Sequence, residues 1–457
     1  MRDGILPEDP QGDHKMITQR YGDLEIGYTT QWNDMFYAAT VSRTGAWRTL
    51  GSVYGGGMAS SWQGLYGGLV VQDRSADQDL LKPPVDFQHV GTFPFFSLST
   101  IKVEMWRPVP PAGYVALGDV ANLSLIGQGR PKPDASALGI VCVKKEHNGR
   151  PYVRRAELGR LPLWTNGNGK GLWAITPPLY PFDDTEEHLF LPAGTFSCGP
   201  DIPQGPTDVT WVLDLPAVVD KADYAPELRL ESYNAPPAQA IVTDRAVTVP
   251  YFMVKDDARS EAWKVANSPF YKIQRKRQYD LIRHVDFRGA GGGQIAETVE
   301  VGVTQERGEE FALTTGITVG VSTGVEASAK PFGVGASVSV ETSVSASLEL
   351  GYTTRYGVST FESKSVGVTY DVPAGHAGAL WTDTHQLVPI RRDGTLVTNA
   401  NLRLNAGGSS AYVGRTFPET ARSKVSVVRK VSDVELKAAE EMGIDPKTMA
   451  DVTEITQ

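Results

Sequence analysis

The sequence predicts an all-β protein. The first part reads as a β-prism- or sandwich-like unit, and the second as an elongated β-domain carrying an amphipathic hairpin. Three observations predict it. The 457 residues include 47 Gly and 30 Pro spread along the chain, and helical periodicity is rare, as expected of short strands separated by turns. Trp-bearing strand-like runs recur in the first part about 60 residues apart, a spacing compatible with structural repeats. Residues 316–352 alternate strictly between apolar and polar side chains, the period of a strand with two unlike faces.

Length alone suggests about three domains, and composition places them. Residues 1–265 form an N-terminal recognition domain, rich in Trp, Tyr and Pro from residue 17 onward. Its internal echo comprises Trp47-Arg48-Thr49-Leu50-Gly51, then Trp106-Arg107-Pro108 with Leu117-Gly118, then Leu172-Trp173-Ala174-Ile175. Three like units would pack as a β-prism or a sandwich of repeats; chance similarity of Trp-rich strands accounts for the echo as well. In the run Ser60 to Tyr66, Trp62 and Tyr66 are candidate receptor contacts, because aromatic rings suit sugar and interfacial surfaces. The alternative is that both rings are core.

Residues 266–430 form a second domain. Aromatics thin out and Val, Ser, Thr and Gly rise. From Ile317 the apolar side chains take odd positions, namely Ile317, Val319, Val321 and Val325 with Ala327 and Ala329. After the break Lys330-Pro331-Phe332-Gly333 they take even positions, among them Val334, Val338, Val340, Val344 and Leu348. Two such runs around a Pro/Gly break read as a long antiparallel hairpin. The other face is Ser, Thr and Gly, with Glu326, Glu341 and Glu349 along the strands and Lys330 at the tip. Each run exceeds the usual strand length of about 5–6 residues and the ~9–11 needed to cross a bilayer. This pattern fits a hairpin that inserts into a membrane. Its Val/Ala face would meet lipid, Lys330 to Gly333 would form the tip, and Glu326, Glu341 and Glu349 would face a water-filled lumen. An ordinary surface hairpin half-buried on a core has the same period.

Residues 431–457 form a short acidic tail. Ser432 is placed to cap a helix from about Val434 to Met442, which Gly443 and Pro446 would stop. The tail follows a basic patch of Arg422, Lys424, Arg429 and Lys430, against which it could lie.

No catalytic constellation emerges, so the chain reads as a non-enzyme needing no cofactor or metal. The seven His lack the i, i+4 spacing of a helical zinc pair, and no CxxC exists. The run Asp183 to His188 could hold calcium through its oxygens but reads more simply as a solvated loop. The two cysteines, Cys142 and Cys198, are either buried thiols or one bridge. A net charge of −9 without a basic stripe argues against nucleic-acid binding. No run of 18 apolar residues and no apolar segment near the N-terminus appear. The expectation is a soluble protein released without a visible secretion signal.

Two resemblances extend this reading. Met105-Trp106-Arg107-Pro108, Gly113-Tyr114, Leu117-Gly118-Asp119 and the later Cys142-Val143 resemble the signature of the vacuolar-protein-sorting-62-like family over residues 17–265. The Trp-x-Asp-x-Gly-Ser run usual before that signature is missing, since Val90 to Leu98 stands there. The second half resembles aerolysin, epsilon-toxin and mosquitocidal-toxin type β-pore-forming toxins over residues 268–430. That similarity rests on the Ser/Thr-rich hairpin followed by Ser365 to Gly375 with its Val372-Pro373 turn.

The toxin resemblance implies a pore-former, with insecticidal members among its kind. Such a protein binds a target-cell surface through a glycan, lipid or protein receptor, assembles as a homo-oligomer and threads one hairpin per subunit into a β-barrel. The alternatives are a non-lytic carbohydrate- or lipid-binding adaptor and a hydrolase whose site is not visible in the sequence.

Overall fold

Short apolar–polar alternations punctuated by Gly and Pro give short strands, and the first part of the chain arranges them three times in one way. The computed structural model describes residues 16–301 apart from 34–35, 43–44, 59–61, 95–99, 128, 177–187, 203–204, 224–225 and 290. It also describes 364–398, 403–405, 411–420, 424–429 and 452–456. The all-β expectation holds, because only short helices interrupt the strands among the described residues. None of these helices is long and apolar enough to cross a membrane.

The first unit holds β1 (Thr18–Tyr21), β2 (Leu24–Thr29), β3 (Phe36–Ala39), β4 (Val53–Met58) and β5 (Gly68–Asp73). The second holds β6 (Leu81–Lys82), β7 (Asp86–Pro94), β8 (Ile101–Val109), β9 (Tyr114–Val115), β10 (Val120–Leu125), helix α1 (Ala135–Leu138) and β11 (Cys142–Lys144). A small hairpin follows, β12 (Glu146–His147) with β13 (Arg150–Pro151). The third unit holds β14 (Val153–Arg155), β15 (Glu157–Thr165), β16 (Lys170–Thr176), β17 (His188–Leu191), β18 (Phe196–Pro200) and β19 (Trp211–Pro216).

In the second unit the last strand pairs with the first and fourth, and the third with the second and fifth, giving sheets β6-β11-β9 and β7-β8-β10. The third unit repeats this as β14-β19-β17 and β15-β16-β18. The first unit keeps the scheme with two positions reduced to single bridges. β2 pairs with β5 and β3 with β4, while Trp32 bridges Val41 and Arg48 bridges Val71.

The units meet where each fifth strand begins. Ser52 N–H donates to Asp119 O at 3.0 Å, Asp119 N–H donates to Phe196 O at 2.9 Å, and Val53 bridges Thr195. Backbones come so close here that a Cβ on Gly118 would lie 2.4 Å from Thr195 Cβ, a contact only glycine avoids. The pairs Leu50-Gly51 and Leu117-Gly118 of the sequence echo therefore hold equivalent places, leading into fifth strands. Trp47 and Trp106 do not, since Trp47 adjoins the fourth position of its unit and Trp106 lies on a third strand.

The remaining strands are β20 (Val218–Lys221), β21 (Val242–Pro250), β22 (Phe270–Asp286), β23 (Gly293–Val301), β24 (Lys364–Val372), β25 (Ala377–Ile390), β26 (Arg403–Asn405), β27 (Tyr412–Phe417), β28 (Lys424–Arg429) and β29 (Val452–Thr456). Helix α2 (Glu261–Asn267) precedes β22, with Ser260 Oγ accepting from Trp263 N–H. One sheet runs β20-β21-β22-β25-β26 with β27 also on β25, and another runs β23-β24-β28-β29. Residue 266 thus falls between two paired strands, because β21 runs along β22 from Pro250↔Phe270 to Val242↔Arg277. The sheet of the second half reaches back to Val218.

Packing shows the same continuity. Tyr21, Leu24, Leu117, Leu189 and Leu213 of the three units share one core with Val247, Tyr271, Ile273 and Leu387. A second core, with Trp32, Trp62, Phe93, Met105, Leu172 and Phe196, fills the interior between the units. Cys142 and Cys198 are separate buried thiols, each pushed up to about 12 by burial, so both are unreactive at neutral pH. The helix expected over Val434–Met442 lies outside the described residues. What is described of the tail is strand β29.

Candidate functional site

Val301 and Lys364 are register partners at the end of the β23–β24 pair. The sequence between them, residues 302–363, thus joins the ends of two paired strands. Both strands are two-faced. Ile295, Val299 and Val301 on β23 and Val366, Val368, Tyr370 and Val372 on β24 pack in one core with Val425 and Val427 of β28. Ala296, Thr298, Glu300 and Asp371 are exposed. The apolar parity is odd on β23 and even on β24, the same as in the two alternating runs of residues 317–350. The residues expected to face lipid, the tip from Lys330 to Gly333, and the carboxylates Glu326, Glu341 and Glu349 all lie in 302–363, outside the described residues.

The far side of this sheet is closed by the end of the chain. β28 pairs with β24, and β29 covers β28 from Lys424↔Thr456 to Val428↔Val452. On the other side, Asn405 Nδ2–H donates to Glu300 O of β23 at 2.9 Å.

The two candidate receptor aromatics separate. Trp62 is only 2% exposed and stands edge-to-face on Trp32 with centroids 5.6 Å apart. Gly55 makes room for it, since a Cβ there would lie 2.3 Å from the Trp62 ring. In this conformation Trp62 offers no contact surface and belongs to the core, because burial of so large an apolar ring outweighs its exposure in a loop. Tyr66 is partly exposed, and its carbonyl accepts from Trp32 Nε1 at 3.0 Å. The exposed apolar side chain of this turn is Leu65, at 56%.

A different aromatic group lies at the surface. Tyr37, Tyr54 and Trp164 are each partly exposed. Trp164 stacks on Tyr54 at 6.0 Å, lies 5.1 Å from Tyr37, and is backed by buried Phe93 at 4.7 Å. Burial, and then Tyr37 beside it, raises the Tyr54 phenol above its ordinary range, so it stays protonated as a hydrogen-bond donor. Three separate chain segments build this cluster. In the sequence, Trp164 stands in the strand-like run Pro162 to Asn166, and no local pattern joins it to Tyr37 or Tyr54.

The residues of the Trp-Arg-Pro and Leu-Gly-Asp signature serve packing. Arg107 and Asp119 pair with each other inside the prism, and Trp106, Leu117, Cys142 and Val143 are buried.

Residues 242–406 match the model of the family described as Insecticidal Crystal Toxin, P42. No curated protein matches the chain. Among solved structures, the chain is similar to GNIP1Aa from Chromobacterium piscinae at 18% identity and a TM-score of 0.27, covering 40% of this chain and 34% of that one. It is also similar to Cry35Ab1 at 11% identity and a TM-score of 0.30, covering 88% of this chain and 91% of that one. The comparisons lend no support to the vacuolar-protein-sorting-62-like resemblance of residues 17–265.

Proposed function

We propose that this chain is an insecticidal β-barrel pore-forming protein. In this reading the three-unit prism recognises the target surface, subunits assemble, and residues 302–363 of each insert as a hairpin. The observation that carries it is the Val301↔Lys364 pairing. It brackets a segment whose apolar parity continues that of both flanking strands. The family match over residues 242–406 supports the toxin class.

Physical constraints fit the reading. In lipid every backbone group needs a partner, so strands cross only as a closed barrel, and a lone hairpin has two raw edges. Insertion therefore requires several subunits. An inserted strand extending β23 would carry Ile317, Val319 and Val321 on one face, and one extending β24 would carry Val338, Val340 and Val344. The recognition surface is better sought at Tyr37, Tyr54 and Trp164, which keep aromatic area at the surface, than at Trp62.

The test is dye release from insect gut membrane vesicles, with electron microscopy of the same membranes. The expected result is release together with rings of fixed diameter. Surface binding without release or rings would favour the non-lytic adaptor and end the pore-forming reading.

A further inference from the structure

A buried charged set crosses the sheet that joins the prism to the second half. The register of β22 with β25 places Arg275 opposite Leu387, Arg277 opposite His385 and Tyr279 opposite Asp383, so these side chains share one face. β21 adds Asp244 at its bulge between Thr243 and Arg245. Arg275 clasps Asp244, with Nε to Oδ1 at 2.9 Å and Nη2 on Oδ2. Arg277 clasps Asp383 through Nε at 2.9 and 2.8 Å and Nη2 at 2.6 Å. Arg277 also reaches Tyr279 Oη at 3.2 Å and lies 3.8 Å from Asp244 Oδ2.

His385 is 2% exposed within this set. Its Nε2 lies 3.3 Å from Asp383 Oδ2, an oxygen Arg277 already holds. Its Nδ1 is buried with no partner. Among the described residues, the charged and titratable groups around the ring are Arg275, Arg277 and Tyr279 from β22, Asp383 from β25, and Asp244 with the half-buried Arg245 from β21. Arg275 and Arg277 already bring positive charge to this face while the imidazole is neutral. A proton on the ring adds a further cation and creates a buried Nδ1–H with no acceptor, both of which are costly.

We propose that His385 is an acid-operated release in this sheet. Protonation of its ring disrupts the Arg277–Asp383–His385 set and loosens β22 from β25. The hydrophobic core containing Tyr271 and Leu387 lies on one side of the set, and that containing Tyr279 and Trp381 on the other. Loosening here frees the two cores from each other without unfolding either. The release needs no pore and is read on the soluble protein.

The direction follows from linkage. Burial holds His385 below its ordinary range, against the opposing pull of Asp383. An opened or unfolded imidazole takes its proton near pH 6.5, so the open form binds more protons below that pH and closure weakens as pH falls. Asp383 has a lowered carboxyl despite burial, through its contacts with His385 and Arg277. Its contribution is lost only as pH falls below about 4, which separates the two windows.

Hydrogen exchange on the full chain, corrected for intrinsic rates, tests the release between pH 7.5 and 5. Opening of β22 and β25 should rise up to tenfold per pH unit below about 6.5, with no comparable change in β8 and β16. In His385→Gln, whose amide still donates to Asp383 but takes no proton, the rise should vanish. His385→Asn replaces it if the Gln variant does not fold. Wild-type opening of β22 and β25 that ignores pH overturns the proposal, as does a rise that persists in the uncharged variant.

Discussion

Arg107 and Asp119 clasp each other through two parallel hydrogen bonds, Nε to Oδ1 at 3.0 Å and Nη2 to Oδ2 at 2.9 Å. The same guanidinium donates to Cys198 O at 2.7 Å, and the same carboxylate accepts from Cys198 N–H. Residues of the second unit thereby grip the third at its fifth strand. The Trp-Arg-Pro and Leu-Gly-Asp residues that carry the sequence resemblance thus form a joint between these two units.

That joint predicts a stability loss. Asp119→Ala leaves a largely buried guanidinium without its carboxylate and should cost about 3–5 kcal/mol. Replacing both partners by apolar residues, Arg107→Met with Asp119→Leu, should recover part of the loss. Chemical denaturation of the three variants gives the values. A single variant as stable as the parent would show that the joint contributes nothing.

In the proposed hairpin, Asp at Val321 or Val338 would set a charge toward lipid, at a cost below the about 2–4 kcal/mol of a lysine or arginine at mid-membrane. Binding to target membranes should survive and dye release should fall to background. Undiminished release by both variants would remove these positions from the lipid-facing surface.

The pore should prefer cations. In the alternating sequence pattern Glu326, Glu341 and Glu349 take the polar positions, and in the proposed pore a ring of subunits would stack them into carboxylate bands. The reversal potential under a salt gradient should show cation preference. It should shrink in Glu341→Gln, shrink again with Glu349→Gln added, and weaken at high salt as screening grows. Indifference to both changes would mean these side chains do not face the conduction path.

β29 pairs along the outer edge of β28 and so occupies backbone groups that another chain could use. A protein ending at Lys430 should assemble faster on membranes, seen as oligomer bands after cross-linking. Assembly at the parental rate, with the tail confirmed absent, would show that this edge is not where subunits meet.

The sequence by itself determined what local alternation and turn chemistry can encode. The all-β class, the repeat glycines at Gly51 and Gly118, and the two-faced pattern that continues into β23 and β24 were legible because each needs only neighbours along the chain. Tertiary structure decided which strands pair and which faces close. Nothing local says that Gly55 leaves a space for the Trp62 ring, that β21 joins β22 across the expected boundary at 265, or that Tyr37, Tyr54 and Trp164 converge. The same holds for His385, which reads as an ordinary strand residue until the β22–β25 register sets it opposite Arg277. A polar side chain becomes costly or switchable only through the burial and charges that distant strands bring to it.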